Sequence, residues 1–258
     1  MQRSHDYSSD GVVMRTLFAL ALLLLATTCL WSQDLPSGTL LPVMLDKTIE
    51  SDKSKPGEQI SATLKQEVPL PDGAKIKRES KVLGHVVSAS APAGGNPARI
   101  TVQFDKIEID KRPVPINVGA RAFASMQIVS QARNPENSNF APGTTSWDLN
   151  LSLIGGQIAF NGAKIVKAPD GQVVGKVPEP GAVLGVPMAN PELGCAGPGA
   201  NNAEQAFWAF ATSACGVYDD KGVTMASGIG GATPGKITFQ SPKPLTIRGG
   251  SGWLLQVN

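Results

Sequence analysis

Few residues of this chain are of types that could carry out catalysis. His85 lies in the segment VLGHVV (82–87), and it is the one histidine downstream of the N-terminal leader described below. A relay of serine, histidine and aspartate would have to use it, but no nucleophile-elbow pattern accompanies it. Strand alternation puts His85 opposite an apolar set of side chains, which favours a partly exposed strand histidine over a catalytic base. One histidine and two cysteines cannot complete a tetrahedral zinc site, so we expect no metal and no other cofactor.

Carboxylates leave a hydrolase open as an alternative, because acids brought together by folding leave no linear trace. Asp148, Asp219 and Asp220 are the candidates. Asp219 and Asp220 are adjacent, so in a strand they would point to opposite faces, and we interpret them as turn residues. The glycine-rich stretch Gly228–Lys236 lacks the strand-to-helix setting of a phosphate loop and is also assigned to a turn. We assign no catalytic residue.

The leader indicates export. Arg15 precedes an apolar run, Leu17–Ala26, and small and polar residues follow as far as Ser32. The run is too short for a stable membrane anchor, and we expect a signal peptide over 1–32, with translation starting at Met1 or Met14. Lipidation of Cys29 is the less favoured alternative, because the residues before it fit a lipoprotein site poorly. No later stretch is apolar enough to span a membrane, so we expect no transmembrane segment after cleavage.

Cys195 and Cys215 are predicted to form a disulfide, because an exported protein with two cysteines at this separation most often pairs them. The bond would close a loop of about 20 residues and stabilise the fold by roughly 3 kcal/mol. The loop contains Phe207, Trp208 and Phe210. These rings are either the core of a small subdomain, which we favour, or an exposed face that binds a sugar or a partner.

Composition predicts an all-β fold. The chain has 28 glycines, 20 prolines and 17% charged residues, and long runs of helix formers are missing. The net charge is only +2. The basic segment Lys75–Arg78 is interrupted by Glu79, so we expect no nucleic-acid partner. Short apolar segments at Gly38–Leu45, Gln59–Gln66, Lys81–Ser90 and Ala98–Ile109 are separated by the turn signals Lys55-Pro56-Gly57 and Pro71-Asp72-Gly73, as in a small barrel or sandwich.

Local patterns predict further elements. The apolar phase changes within Ala98–Ile109, which indicates a bulge. Asp110–Pro113 predicts a tight hairpin turn, Gln131–Ser146 a long loop, Leu149–Phe160 a strand region, and Ala168–Gly171 another hairpin turn. Ala203–Thr212 is the one plausible helix, with a buried strand as the alternative. The segments Leu245–Arg248 and Trp253–Val257 are predicted to pair as a closing hairpin.

The segment Leu35–Val86 resembles the opening of the β-barrel domain of conjugation and type IV secretion scaffold proteins. That family has a PxGT strand, a Pro-Gly turn, a second strand and an IPxGSxLxG strand in order. Pro36–Thr39, Pro56-Gly57 and Lys75–Gly84 occupy these places, although Lys77–Glu79 replaces the usual Pro-x-Gly. The closing segment Gly235–Val257 is similar to the last strands of uncharacterised exported barrel proteins of acidobacterial type. The resemblance implies the fold more than the role.

We therefore expect an all-β protein with a small β-barrel and an irregular, disulfide-containing, β-rich insertion. The expected divisions are signal peptide 1–32, first barrel part 33–120, insertion 121–216 and closing strands 217–258. The expected function is a noncatalytic exported envelope module, periplasmic or extracellular, that binds or scaffolds envelope proteins or glycans. The alternative is a secreted protein that binds or hydrolyses carbohydrate.

Overall fold

The computed structural model describes residues 35–133, 149–160, 165–167, 173–177, 182–197, 203–218 and 221–258. The leader 1–32, with Cys29, and most of the predicted loop Gln131–Ser146 lie outside them. The strands are β1 Leu40–Leu45, β2 Ile49–Glu50, β3 Gln59–Leu64, β4 Val68–Pro69, β5 Lys75–Ile76, β6 Lys81–Ser90, β7 Ala98–Ile109, β8 Arg112–Pro115, β9 Val118–Ala124, β10 Leu149–Leu153, β11 Gly156–Phe160, β12 Ile165–Lys167, β13 Val173–Lys176, β14 Leu184–Gly185, β15 Gln205–Ala206, β16 Gly216–Tyr218, β17 Thr224–Ala226, β18 Lys236–Ser241, β19 Thr246–Ile247 and β20 Gly252–Val257. The described residues also form a helix, α1 (Met126–Ala132), and a 3-10 turn, Pro191–Leu193.

A ten-stranded sheet forms a nearly closed barrel, so the predicted all-β barrel is confirmed. Its strand order is β16, β9, β20, β1, β3, β6, β7, β18 and β17, and β8 pairs with β7. Strand β16 pairs with β9 in parallel. The other neighbouring strands of this sheet, including β9 and β20, pair in antiparallel fashion. Because successive strands alternate in direction, β9 and β18 finish at the same end of the barrel.

The two edges of the sheet meet beside Gly119. The amide of Ala120 donates to the carbonyl of Ser227, just after β17, at 2.7 Å. A Cβ atom on Gly119 would lie 2.5 Å from the backbone of Gly228, so only glycine allows the backbones to approach this closely. Asn258 donates from its side chain to Asn117 and to the Gly228 carbonyl and ties the same seam.

The barrel interior is filled by alternating apolar side chains of the strands. Trp253 lies at its centre and makes edge contacts with Phe104, Phe123 and Phe239, at centroid distances of 5.7, 5.3 and 5.1 Å. These rings are at most 2% exposed. Such perpendicular aromatic contacts add to the stabilisation that comes from burying the rings.

Register shifts interrupt the described barrel strands at three places. One leaves Val87 as an extra residue of β6, and the other two are bulges in β7 and β9 that change which side chains face the interior. In β7, Phe104 pairs with Gly84 and Lys106 with Leu83, so Asp105 is the extra residue. This is the phase change that the sequence predicted, and the bulge is confirmed. In β9, Ala120 pairs with Leu255 and Ala122 with Leu254, which leaves Arg121 as the extra residue.

The insertion contains a second sheet of six strands, β10 to β15 in consecutive order, and the disulfide loop. It covers the outer faces of β1, β9 and β20. Leu40, Ala122 and Leu254 point away from the barrel interior and pack with Ile154, Val183 and the insertion's aromatic rings in a second apolar cluster. Strand β9 is consequently buried on both faces.

Several local predictions are confirmed. Gly57 and Gly73 have φ angles of +84°, as turn glycines should, and β6 and β7 have the predicted bounds. Asp110 and Lys111 have positive φ angles in the hairpin between β7 and β8. Strands β12 and β13 pair on either side of Ala168–Gly171, although these turn residues themselves lie outside the described ones.

Two predictions are wrong. The helix expected at Ala203–Thr212 does not form, and Trp208 has a φ of +54°, which a right-handed helix excludes. The alternative of a buried strand holds only for Gln205–Ala206 (β15), and turns follow it. The expected closing hairpin does not form: β19 pairs with β2, and β20 pairs with β1 and β9. With these partners, which are distant in sequence, Ile247 and Trp253 are at most 2% exposed, so tertiary pairing overrides proximity along the chain.

Candidate functional site: a cationic cleft at the barrel end

His85 lies on β6, where its Nδ1 is 2.8 Å from the carboxylate of Asp105, the bulge residue of β7. The two side chains are 33% and 39% exposed, as expected for a partly exposed strand histidine. In the described part of the chain, no serine, threonine or cysteine bonds to the imidazole. The pair therefore has the base and the orienting acid of a relay but no nucleophile.

The predicted Cys195–Cys215 disulfide is confirmed, with a Cα–Cα distance of 6.0 Å. Phe207, Trp208 and Phe210, in the loop that it closes, are at most 2% exposed. They pack against the outer face of the barrel, so they are core residues, as favoured from the sequence. The alternative interpretation of these rings as an exposed binding face is wrong, because the barrel covers them.

A buried arginine attaches the disulfide loop to the barrel. Arg121 is 2% exposed, and its Nε donates to the Ala214 carbonyl at 3.1 Å. Its terminal nitrogens donate to the carbonyls of Ala196 and Met188. Ala196 and Ala214 adjoin the two bonded cysteines. Burial lowers the pKa of the Arg121 guanidinium, while the nearby Tyr218 raises it. An arginine nevertheless stays protonated in proteins, and three carbonyl dipoles stabilise this charge.

Gln66 attaches the insertion at a second point. Its side-chain nitrogen donates to the Val183 carbonyl at 2.9 Å, and its oxygen accepts from the amides of Val183 and Trp208. The side chain is 2% exposed. Arg121 and Gln66 are thus occupied by structural hydrogen bonds and are not free to bind a ligand.

An open cleft of about 480 Å³ lies at the barrel end where β9 and β18 finish. Phe123 and Leu245 are buried beneath it, and the start of α1 and the segment between β18 and β20 form its walls. Its lining also includes Ser125, Met126, Gln127, Lys221, Val223, Ser241, Lys243, Pro244, Thr246 and Arg248. Of these polar side chains, Ser241 is buried and Ser125 is half-buried.

The cleft is rich in positive charge and in hydrogen-bond donors. Lys221, Lys243 and Arg248 are exposed, and no carboxylate of the described residues pairs with any of them. The described lining contains no aspartate or glutamate. The hydroxyl oxygens of Ser125 and Ser241 accept from backbone amides of Ile128 and Lys243. Because an accepting hydroxyl keeps its own proton, both can still donate to a ligand.

A second depression, of about 330 Å³, lies at the connection between β6 and β7. It is lined by Pro92, Ala93, Gly94, Gly95, Asn96, Pro97 and Pro242. None of these is charged, so this depression offers little to fix a ligand's orientation. The cationic cleft is therefore the better candidate site.

The structure does not test the other candidates from the sequence. Asp148, Asp219 and Asp220 lie outside the described residues. No three His, Cys, Asp or Glu residues of the described ranges cluster closely enough to hold a metal ion. Those same ranges contain no helix with the length and apolar character to cross a membrane.

Sequence reasoning missed the cleft because its cations are dispersed along the chain. Lys221, Lys243 and Arg248 belong to three different connections, and no short motif joins them. A usable signal was the absence of acids from Lys221 to Asn258, where every charged side chain is basic. That asymmetry indicates a positive surface wherever the closing strands end.

The chain matches no protein-family model and no curated protein. The resemblance of Leu35–Val86 to secretion scaffold barrels, and of Gly235–Val257 to exported barrel proteins of acidobacterial type, stays a prediction.

Proposed function

We propose that the protein is a noncatalytic exported module that binds or scaffolds other components of the cell envelope. The observation that carries this proposal is the open cleft of Lys221, Lys243 and Arg248, in which three cations that no carboxylate of the described residues pairs with meet at the end of the barrel. A backbone held on strand ends and in short hydrogen-bonded connections suits recognition, because its position is set before a partner binds. The chemistry of the cleft suits a negatively charged partner.

Two further features support this proposal. The signal-peptide pattern of 1–32 and the Cys195–Cys215 bond both favour a periplasmic or extracellular site of action, since disulfides persist in oxidising compartments. The His85–Asp105 pair has no partner nucleophile among the described residues, which favours binding over catalysis. Envelope proteins and envelope glycans are the proposed partner classes.

The carbohydrate-active alternative has less support. It depends on aromatic rings that could stack on sugars beside acidic residues, but Phe207, Trp208 and Phe210 are buried. Stacking on a sugar requires an accessible ring face. Polysaccharide hydrolysis, or glycan-array binding that the double variant Lys243→Gln/Arg248→Gln retains, would support this alternative over binding at the cleft.

A crosslinking pull-down from intact cells of the native host tests the proposal. The tagged protein should recover envelope components, and the double variant Lys243→Gln/Arg248→Gln should recover them poorly. Lys106→Gln, which removes an exposed positive charge on β7 far from the cleft lining, serves as the matched control and should behave as wild type. Recovery of the protein alone, in wild type and variants, would count against a scaffolding role.

A further inference from the structure

We propose that the cationic cleft binds a phosphorylated sugar, as a free compound or as the exposed headgroup of a glycan or glycolipid. This inference rests on the proposed binding function and names its ligand class. It follows from three properties of the cleft: its charge, its hydrogen-bonding groups, and its size and walls.

The charge calls for an anion with more than one negative charge. Lys221, Lys243 and Arg248 bring three positive charges to one cleft, and the described lining supplies no acid to neutralise them. A phosphomonoester carries a charge of about −1.5 to −2 near pH 7, which a single carboxylate does not reach. Arginine can also bind two phosphate oxygens at once through its planar guanidinium.

The hydrogen-bonding groups are mainly donors. The ammonium groups of Lys221 and Lys243 and the guanidinium of Arg248 donate only. Ser125 and Ser241 each accept a backbone amide and so keep a hydroxyl proton to give. Phosphate oxygens are acceptors, and they match this set. Gln127 and Thr246 can both donate and accept, which suits sugar hydroxyls.

The cleft is larger than a phosphate group requires. Its volume of about 480 Å³ lies in the range of small-molecule sites, so an anion bound at the cations leaves room for a carbon skeleton. Met126, Val223 and Pro244 provide apolar wall for the C–H faces of such a skeleton, beside the polar side chains named above. A sugar ring presents both kinds of surface.

The wall that carries two of the cations is held firmly. Strand β19 pairs with β2, and the amide of Leu245 donates to the Ser51 hydroxyl at 3.0 Å. The Ser51 amide donates to the Leu245 carbonyl at 2.9 Å, and the Gly250 amide donates to the Leu45 carbonyl at 2.8 Å. Lys243 and Arg248 flank these contacts, so their backbone positions are set before a ligand arrives.

Isothermal titration calorimetry with the purified protein tests the inference. Glucose 1-phosphate should bind, glucose should not, and inorganic phosphate should bind more weakly than glucose 1-phosphate. Lys243→Gln and Arg248→Gln should each raise the dissociation constant for glucose 1-phosphate roughly tenfold, because each removes a charge-assisted hydrogen bond. Lys106→Gln should leave it unchanged, and Lys243→Arg should retain most of the affinity.

A second measurement distinguishes the source of the ligand. Flotation with phosphatidylcholine vesicles, with and without lipid A, presents a phosphorylated sugar as a lipid headgroup. Binding to lipid A vesicles that is lost in Lys243→Gln/Arg248→Gln supports a headgroup. Binding of glucose 1-phosphate without vesicle flotation supports a free ligand or a glycan end.

Binding of neither glucose 1-phosphate nor lipid A vesicles would overturn the inference, as would equal affinity for glucose or affinity for inorganic phosphate equal to that for glucose 1-phosphate. An equal loss of affinity in Lys106→Gln would show that binding is not at the cleft. If the pull-down recovers envelope components while these titrations fail, the ligand class falls and the proposed function stands. If glucose 1-phosphate binds but the pull-down recovers nothing, the proposed envelope function falls and the ligand class stands.

Discussion

The barrel interior and the interface between the barrel and the insertion are both buried, but different interactions hold them. The interior consists of apolar side chains around Trp253, whose edge contacts join rings from three other strands. The interface combines apolar contacts with two buried polar side chains, Arg121 and Gln66, which bond to backbone groups of the insertion. Paired strands bond each other's backbone N–H and C=O groups, whereas the backbone groups of a buried irregular loop need side chains as hydrogen-bond partners.

This difference has a consequence for stability. Apolar contacts in the interior depend on shape and volume, so their loss leaves a cavity. The polar contacts at the interface depend on matched donors and acceptors, so their loss leaves buried groups unpaired. Substitutions in the two regions should therefore differ in magnitude and in which part of the protein they loosen.

The largest effect is expected for Trp253→Ala. Removing the central ring creates a cavity among Phe104, Phe123 and Phe239 and should lower the free energy of unfolding by about 4 kcal/mol. Denaturant unfolding measures it. Leu193→Ala is the control, because Leu193 is 60% exposed and should change stability by less than about 0.5 kcal/mol. Similar losses in the two variants would contradict a central role for Trp253.

The second largest loss of stability is expected when the disulfide is removed. In the double variant Cys195→Ser/Cys215→Ser, the free energy of unfolding should be about 3 kcal/mol lower, because the loop between the two residues is no longer restricted in the unfolded chain. Thermal unfolding of the variant and of the reduced wild-type protein should agree. A disulfide variant as stable as wild type would show that Arg121 and the apolar cluster suffice to hold the loop.

Arg121→Met should lower the free energy of unfolding by about 2 kcal/mol, because three carbonyls lose their donor. The loss is limited because water can replace the donor at the exposed Ala196. The loosening should be local. Limited proteolysis should cut the disulfide loop faster, while amide exchange in β1 and β20 changes little. Arg121→Lys should not restore the wild-type rate, because one ammonium cannot reproduce the planar fork. Uniform loosening of barrel and loop would contradict a local clamp.

The smallest effect concerns Asp46, on the barrel surface. Partial burial raises its pKa, but hydrogen bonds from Thr63, Ser61 and Lys81 outweigh burial and lower the pKa below its ordinary value. The ionised form thus stabilises the fold above the unfolded pKa of about 3.9, and this contribution is lost as the pH falls through the lower folded value.

Asp46→Asn should therefore lower the free energy of unfolding by about 1 kcal/mol at neutral pH and by progressively less below about pH 3.9. Denaturant unfolding of both proteins from pH 7 to pH 2 checks this difference. A stability difference that does not change with pH would show that the hydrogen bonds, and not the carboxylate charge, matter.

The elements that the sequence predicted well are those whose signal is local. Strands β6 and β7 were predicted with their bounds, because alternation and flanking turn residues mark a half-buried strand. The bulge at Asp105 was visible as a change of phase within β7. The disulfide followed from two cysteines in a chain with a leader. Each of these signals lies within a few residues or depends on composition.

The predictions that failed needed partners distant in sequence. Ala203–Thr212 has a helix-like composition, but its aromatic rings pack against the outer face of the barrel. The Phe207 amide donates to the carbonyl of Val183 in the insertion, and the segment forms turns. The closing segments are neighbours in sequence, yet each pairs with an early strand. Packing energy outweighs local propensity where a segment can be buried on an existing surface.

By itself, the sequence determined the all-β class, the positions of the long barrel strands and the cysteine pair, because alternation, turn residues and residue types encode them locally. Only the tertiary structure decided that Phe207, Trp208 and Phe210 are core residues, that Arg121 clamps the disulfide loop, and that Lys221, Lys243 and Arg248 share one cleft. The physical reason is that burial and charge proximity depend on which distant segments meet when the barrel closes, and no local pattern records those meetings.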